Sequence, residues 1–217
     1  MERAGGSVEA AGTLPPLLNL HHHHAVIRHH RAELIAHLSE IRVLPKIADR
    51  VRSFDPQVAP LGRDQMREFA RLRGLDQAER RIQLAGGSPG LAVSIDLEAY
   101  DKRRAAMLTL VKVAAGAAPF GAWVPVGEVI GRTKSEKLEL HLKVLYELLR
   151  DLLVLRESGG EIRNQDIRGE LEALAAKVDF SWIRKAVAQA DELAEMMRRN
   201  IQKTIALDAI ILALRQA

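Results

Sequence analysis

An all-α fold is what this sequence predicts, and three observations carry the prediction. Aromatic residues make up 4% of the chain, too few for the pleated, half-buried surfaces of sheets, whereas Leu, Ala, Glu, Arg and Lys dominate and are strong helix formers. Leu138, Leu142, Leu145, Leu149 and Leu152 recur four and three residues apart, which puts them on one helical face. Glycine and proline gather in short groups between such periodic stretches, where a helix has to stop.

Composition narrows the class further. Hydrophobic content of 47% with 28% charge suits a folded globular chain. There is no cysteine, which excludes a disulfide framework and a thiolate metal site and fits a reducing cytoplasm. No run approaches the roughly 18 apolar residues of a membrane span, and the first six residues, from Met1 to Gly6, lack the apolar core of a signal peptide. A cytoplasmic protein without membrane contact is therefore expected. The net charge of +4 is spread evenly, with 13 cations against 11 anions in residues 1–96 and 19 against 17 beyond. A dedicated nucleic-acid binder concentrates its cations in a patch, and no such patch is present in the sequence.

Residues 1–20 are rich in Gly, Ala and Pro without helical period and read as poorly ordered. His21 to His24, His29, His30 and His37 supply seven of the eight histidines. Clustered imidazoles bind metal only with fixed geometry and second-shell support, and neither an HExxH pattern nor a cysteine accompanies them. A helix from about Arg31 to Val43 ends at Pro45; Pro56 and Pro60 break further regularity. Asp64 is a candidate N-cap for a short helix carrying Met66, Phe69, Ala70 and Leu72, and Gly74 closes it. Gln77 to Ala85 supplies another, with Ile82 and Leu84 apolar. Leu84 to Ala92 then holds three glycines and a proline within five residues. That composition demands a tight turn followed at once by a new helix.

Asp96 or a neighbour caps the next helix, which runs to about Ala115 through Leu97, Tyr100, Met107 or Leu108, Val111 and Ala114. Gly116, Pro119 and Gly121 form a loop, and Val124 to Ile130 is a short element ended by Gly131. The helix from Ser135 to Leu155 has its leucine stripe widened by Val144, Leu148 and Val154, a breadth that places it in the middle of a bundle. Glu136, Glu139, Glu147 and Asp151 read as a charged face beside Lys137, Lys143 and Arg150. Ile167, Leu171 and Leu174 mark a further helix. Phe180 to Ile201 marks a long one bent near Asn200, and Ile205 to Leu214 the last. The architecture is a small helical unit followed by a helical bundle, with a boundary near residue 97.

No motif supplies chemistry. The segment from Gly127 to Thr133 is one residue short of a phosphate-binding loop, has Arg for Lys and follows no strand, so it reads as a helix end. Nucleophile elbow, GxGxxG and Ser/His/Asp set are all missing, and His141 reads as a half-buried or solvated side chain. Neither catalysis by this chain alone, nor a metal, nor a cofactor is expected.

The order of several short motifs nevertheless resembles a known family. Leu44-Pro45, Ile47, Arg50 and Phe54 precede two short helices and the Leu-Ala-Gly-Gly-Ser-Pro-Gly turn. Leu148 to Leu153, Arg199-Asn200 and Ala206-Leu207-Asp208 follow. Over roughly residues 44–217 this is similar to bacterial clamp-loader subunits of the DNA polymerase III delta-prime type. The resemblance implies an AAA+ module ending in a helical lid at 44–96 and a collar domain for oligomerisation at 97–217. Residues 1–43 are then a remnant where the family has a whole nucleotide-fold domain. It implies an arginine finger at Arg50, although Lys46, Asp49 and Val51 depart from the family pattern around it. Ser88, Pro89 and Gly90 stand where ATP-hydrolysing relatives carry a sensing arginine, so a non-hydrolysing subunit is implied. Leu142, Leu145, Leu149 and Leu152 are the expected collar-packing residues. The implied partners are gamma/tau and delta loader subunits, with the sliding clamp and primed DNA reached indirectly. Although not catalytic alone, the chain would belong to a DNA polymerase holoenzyme. Two other readings stand beside it: a helical DNA-binding regulator using Val126 to Leu155, with Arg132 and Lys134 near phosphates, and a stand-alone oligomerisation domain.

Overall fold

The computed structural model describes residues 60–133, 136–157, 161–197 and 202–216. They all belong to one compact unit whose regular structure is all helical, with nine α-helices, two 3-10 turns and no strand among the described residues. Arg50, the histidine-dense segment, the helix expected at Arg31 to Val43, and Asn200 with Ile201 lie outside the described residues. No helix among the described residues is long and apolar enough to cross a membrane.

The first three helices, α1 (Arg63–Leu72), α2 (Ala78–Ala85) and α3 (Pro89–Ser94), pack on one another. Their shared core is Met66, Ala70, Ile82, Ala85 and Ala92, flanked by Leu61, Leu75, Ala78 and Leu91. Asp64 is not the cap of α1. Gly62 takes that place, and its N–H donates to Gln65 Oε1 at 2.9 Å. Asp64 instead sits in the first turn, where a negative charge favours the helix dipole. Leu72 is also displaced from its expected role, being 70% exposed at the end of the helix.

The remaining helices form the bundle. Asp96 caps α4 (Leu97–Ala114), its Oδ1 accepting from Ala99 N at 3.0 Å. After a 3-10 turn at Phe120–Ala122 come α5 (Val124–Arg132) and α6 (Leu138–Glu157). Gly131 lies inside α5 rather than ending it, and α6 starts and ends slightly later than its leucine pattern suggested. A second 3-10 turn at Gln165–Ile167 leads to α7 (Arg168–Ala175), α8 (Phe180–Met196) and α9 (Lys203–Arg215). Asp179 caps α8 through Trp182 N at 2.7 Å.

Helix α6 is the centre, packed on α4, α7 and α8, while α9 packs on α4, α5 and α8. Its breadth of apolar surface requires this: Leu142, Leu145, Leu149 and Leu152 are buried, and so are Val144, Leu148, Leu153 and Val154. Burying each leucine stabilises by about 1.5–3 kcal/mol. The α5–α9 contact is close because two glycines allow it. A Cβ on Gly131 would stand 2.3 Å from Thr204 Oγ1, and one on Gly127 would stand 3.1 Å from Nε1 of the Trp123 indole. Trp123 is fully buried and donates Nε1–H to Asp208 Oδ1 at 2.6 Å, tying the start of α5 to α9.

Candidate functional site

The turn between α2 and α3 lies against Pro60 and Leu61. Gly86 and Gly87 have φ of 55° and 86°, a region that other residues enter only with strain. At Gly87 a Cβ would also collide with Pro60 Cβ at 2.7 Å and Leu61 O at 2.8 Å. The missing side chain lets Leu61 N donate to Gly87 O at 2.9 Å. Ser88 Oγ then accepts from Leu91 N at 3.3 Å, and Pro89 opens α3 with the φ that a first helical turn requires. Gly90 faces open space, with nothing within 4 Å of the position a Cβ would take. The Ser88, Pro89, Gly90 turn is thus a helix start that presents no cation.

Beside this turn runs a polar seam that joins the small unit to α4 and α6. Asp151 has no exposed surface, so its charge has to be met from within. It accepts from Arg163 N at 2.9 Å, from Asn164 N at 2.9 Å and Asn164 Nδ2 at 2.9 Å, and lies 3.2 Å from a terminal nitrogen of Arg150. The carboxylate therefore shapes the 161–164 segment by holding two successive backbone N–H groups. One turn earlier on α6, Glu147 Oε2 lies 2.9 Å from the Tyr100 hydroxyl, which is also 3.0 Å from Asn164 Oδ1. Burial drives the Glu147 carboxyl above its usual pKa, with Arg163 and Lys143 opposing, and burial likewise pushes the Tyr100 hydroxyl upward. Both groups favour the protonated form.

At the outer end of the seam the ions are paired. Arg104 grips Asp166 with two N–H groups at 2.7 and 2.6 Å, a charge-assisted fork. Burial works against both ionised groups. The pairing outweighs it, raising Arg104 and holding Asp166 below the usual carboxylate range. Arg80 of α2 joins the same cluster through Asp101 and, at 3.7 Å, Asp166.

These contacts correct the reading of α6 as carrying one charged face. Glu147 and Asp151 are buried members of the seam. A signal for this was present: at about 100° per residue Glu147 and Asp151 fall on the side of α6 opposite the leucine stripe, flanked there by Val144 and Val154, so a helix that buries those valines encloses the two carboxyls as well. Asn164 and Arg163 fall in an irregular stretch with no periodicity, and nothing in the sequence marks them. His141 is more buried than expected, at 4% exposure, and its Nδ1 has no hydrogen-bond partner. Burial, the largest influence, lowers its pKa against the pull of Glu136.

Where the seam meets the turn, a cleft of about 490 Å³ opens between α1, α2, α6 and the 161–163 segment. Arg63, Arg150 and Arg163 line it together with Gly86 and Gly87. A second cleft of about 360 Å³ lies beside the start of α8 and is also lined by cations. There Arg156 already donates to the carbonyls of Ala175 and Val178, at 2.8 and 2.6 Å, and Lys185 to that of Ala213 at 2.7 Å. Those two cations cap helix ends. Among the described residues no group of three His, Asp or Glu side chains is arranged to hold a metal.

The outer surface of the bundle carries apolar side chains on α5 and α9. Val129 is 65% exposed, Ile205 62% and Leu212 52%. Ile205 and Leu212 are seven residues apart and so share one side of α9. Leu142, Leu145, Leu149 and Leu152, the expected collar-packing residues, are buried in the interior of the bundle. No protein family, curated protein or solved structure matches the chain.

Proposed function

We propose that the chain is a non-hydrolysing clamp-loader subunit of the delta-prime type. It associates with gamma/tau and delta subunits through its helical bundle and helps place the sliding clamp on primed DNA. The observation that supports this reading is the succession of parts. A three-helix unit with its own small core, its last helix opened by a Gly-Gly-Ser-Pro-Gly turn, leads through Ile95 and Asp96 directly into a larger bundle, the order that a lid followed by a collar requires. Gly90 adds to it: there is room at that position for a long cationic side chain, and the sequence places none there. The role is positional, with the bundle holding neighbouring subunits in register and the turn setting the small unit against it.

A DNA-binding regulator would need α6 as its recognition helix. That helix is enclosed by α4, α7 and α8, and its buried residues leave no polar face for base edges.

Association is the test. The chain is mixed with purified gamma/tau and delta subunits and followed by gel filtration and light scattering. A stable complex is expected at micromolar concentration. Ile205→Glu combined with Leu212→Glu should weaken it by about tenfold or more, while circular dichroism and the melting temperature stay near those of the parent, because both side chains are more than half exposed. If the unaltered chain forms no complex with either subunit, the reading fails.

A further inference from the structure

We propose that the cleft between the small helical unit and the bundle is a binding site for a phosphoryl group, carried by free phosphate or by a nucleotide-sized small molecule. The proposal stands on the guanidinium groups of Arg150 and Arg163 and does not depend on the loader reading. Each lines the cleft from a different element, α6 and the 161–163 segment. Each is mostly buried, with 19% and 26% of its side chain exposed. Each nevertheless has a single side-chain partner: Arg150 touches Asp151 at 3.2 Å, and Arg163 touches Glu147 at 3.5 Å. A guanidinium carries five N–H donors in a planar fork, so most of this donor capacity is unspent. Nε of Arg150 is fully buried without any partner.

The carboxylates around the cleft are occupied elsewhere. Asp151 is saturated by two backbone N–H groups and the Asn164 amide. Glu147 is engaged by Tyr100. Glu161, the one acidic residue among those lining the cleft, is bound to Arg63. The cleft therefore presents two under-used forks to an incoming anion. A tetrahedral oxyanion with three or more acceptor oxygens can take paired N–H groups from both forks at once. Leu61, Met66 and Ile82 also line the cleft and give the body of a larger ligand apolar atoms to lie against. Gly86 keeps the cleft open: a Cβ there would stand 3.4 Å from a terminal nitrogen of Arg163.

The experiment titrates the full chain with inorganic phosphate and with AMP by calorimetry, at low and moderate salt. One saturable, salt-sensitive site is expected for at least one of them. AMP binding about tenfold tighter than phosphate assigns the site to a nucleotide-sized ligand, and equal affinities assign it to free phosphate. Arg163→Gln and Arg150→Gln should each weaken binding by about tenfold, and Lys177→Gln, in the second cleft, should leave it unchanged. Amide NMR shifts provide a readout free of variants, with Gly86, Gly87 and Arg163 moving on addition of ligand. The proposal is overturned if neither ligand gives saturable heat up to about 10 mM, if those three amides stay in place, or if folded Arg163→Gln binds undiminished.

Discussion

Asp151 and His141 sit on the same helix and show how differently a buried polar side chain can be met. Asp151 has four nitrogen contacts and no exposure, so its charge is balanced within the fold. His141 is nearly as buried, with an unpartnered Nδ1, and its environment favours the neutral ring. The consequence is a pH dependence of definite sign. The unfolded chain takes up a proton near the ordinary histidine pKa of about 6.5, whereas the folded chain resists until its lowered value is reached. Stability contributed by neutral His141 is thus complete above about pH 7 and falls as pH drops through the folded pKa. Glu147 works in the opposite sense. Its raised pKa makes the folded chain keep a proton that the unfolded chain releases, so its contribution is greatest at low pH and lost as pH rises through the folded value. Urea unfolding at pH 7.5 and 5.5 should therefore show a smaller acid-induced loss in His141→Gln than in the parent, and equal losses would contradict it. Neither behaviour was legible in the sequence, because periodicity assigns a residue to a face and does not say how many neighbours cover that face.

At the scale of elements, of the two caps expected from the sequence Asp96 holds and Asp64 does not. Ser88, Asp96 and Asp179 carry side chains that bind N–H groups, and their local chemistry does not depend on distant neighbours. Asp64 was misleading because Gly62 and Gln65 perform the same task two residues earlier. Glycines were legible as breaks but not in kind, and Gly87 and Gly90 differ sharply although three residues apart. Gly87→Ala forces a side chain into a positive φ and against Pro60 and Leu61, and should cost about 1–3 kcal/mol. Gly90→Ala lies in the helix with open space around it and should stabilise by about 0.5–1 kcal/mol. Urea midpoints of the two variants, moving in opposite directions from the parent, check both.

At the scale of the molecule, the composition changes near residue 97, from short helices around a glycine-rich turn to long amphipathic stretches, and α3 gives way to α4 there. The means by which the two parts are joined was not visible, because Arg63–Glu161, Arg80–Asp101 and Arg80–Asp166 link residues between 21 and 98 positions apart. The cohesion of the parts differs accordingly. α1–α3 share one small apolar core and are tied to the rest by ion pairs, each exposed pair contributing about 0–1 kcal/mol and weakened by salt. α6 is held by apolar contact on three sides. Amide hydrogen exchange should register that difference as two opening free energies, with α1–α3 exchanging through a sub-global opening while α6 waits for complete unfolding. Raising sodium chloride to about 1 M should lower protection in α1–α3 and leave α6 near its original value. A single opening energy shared by both groups would mean that the ionic seam couples them into one cooperative unit.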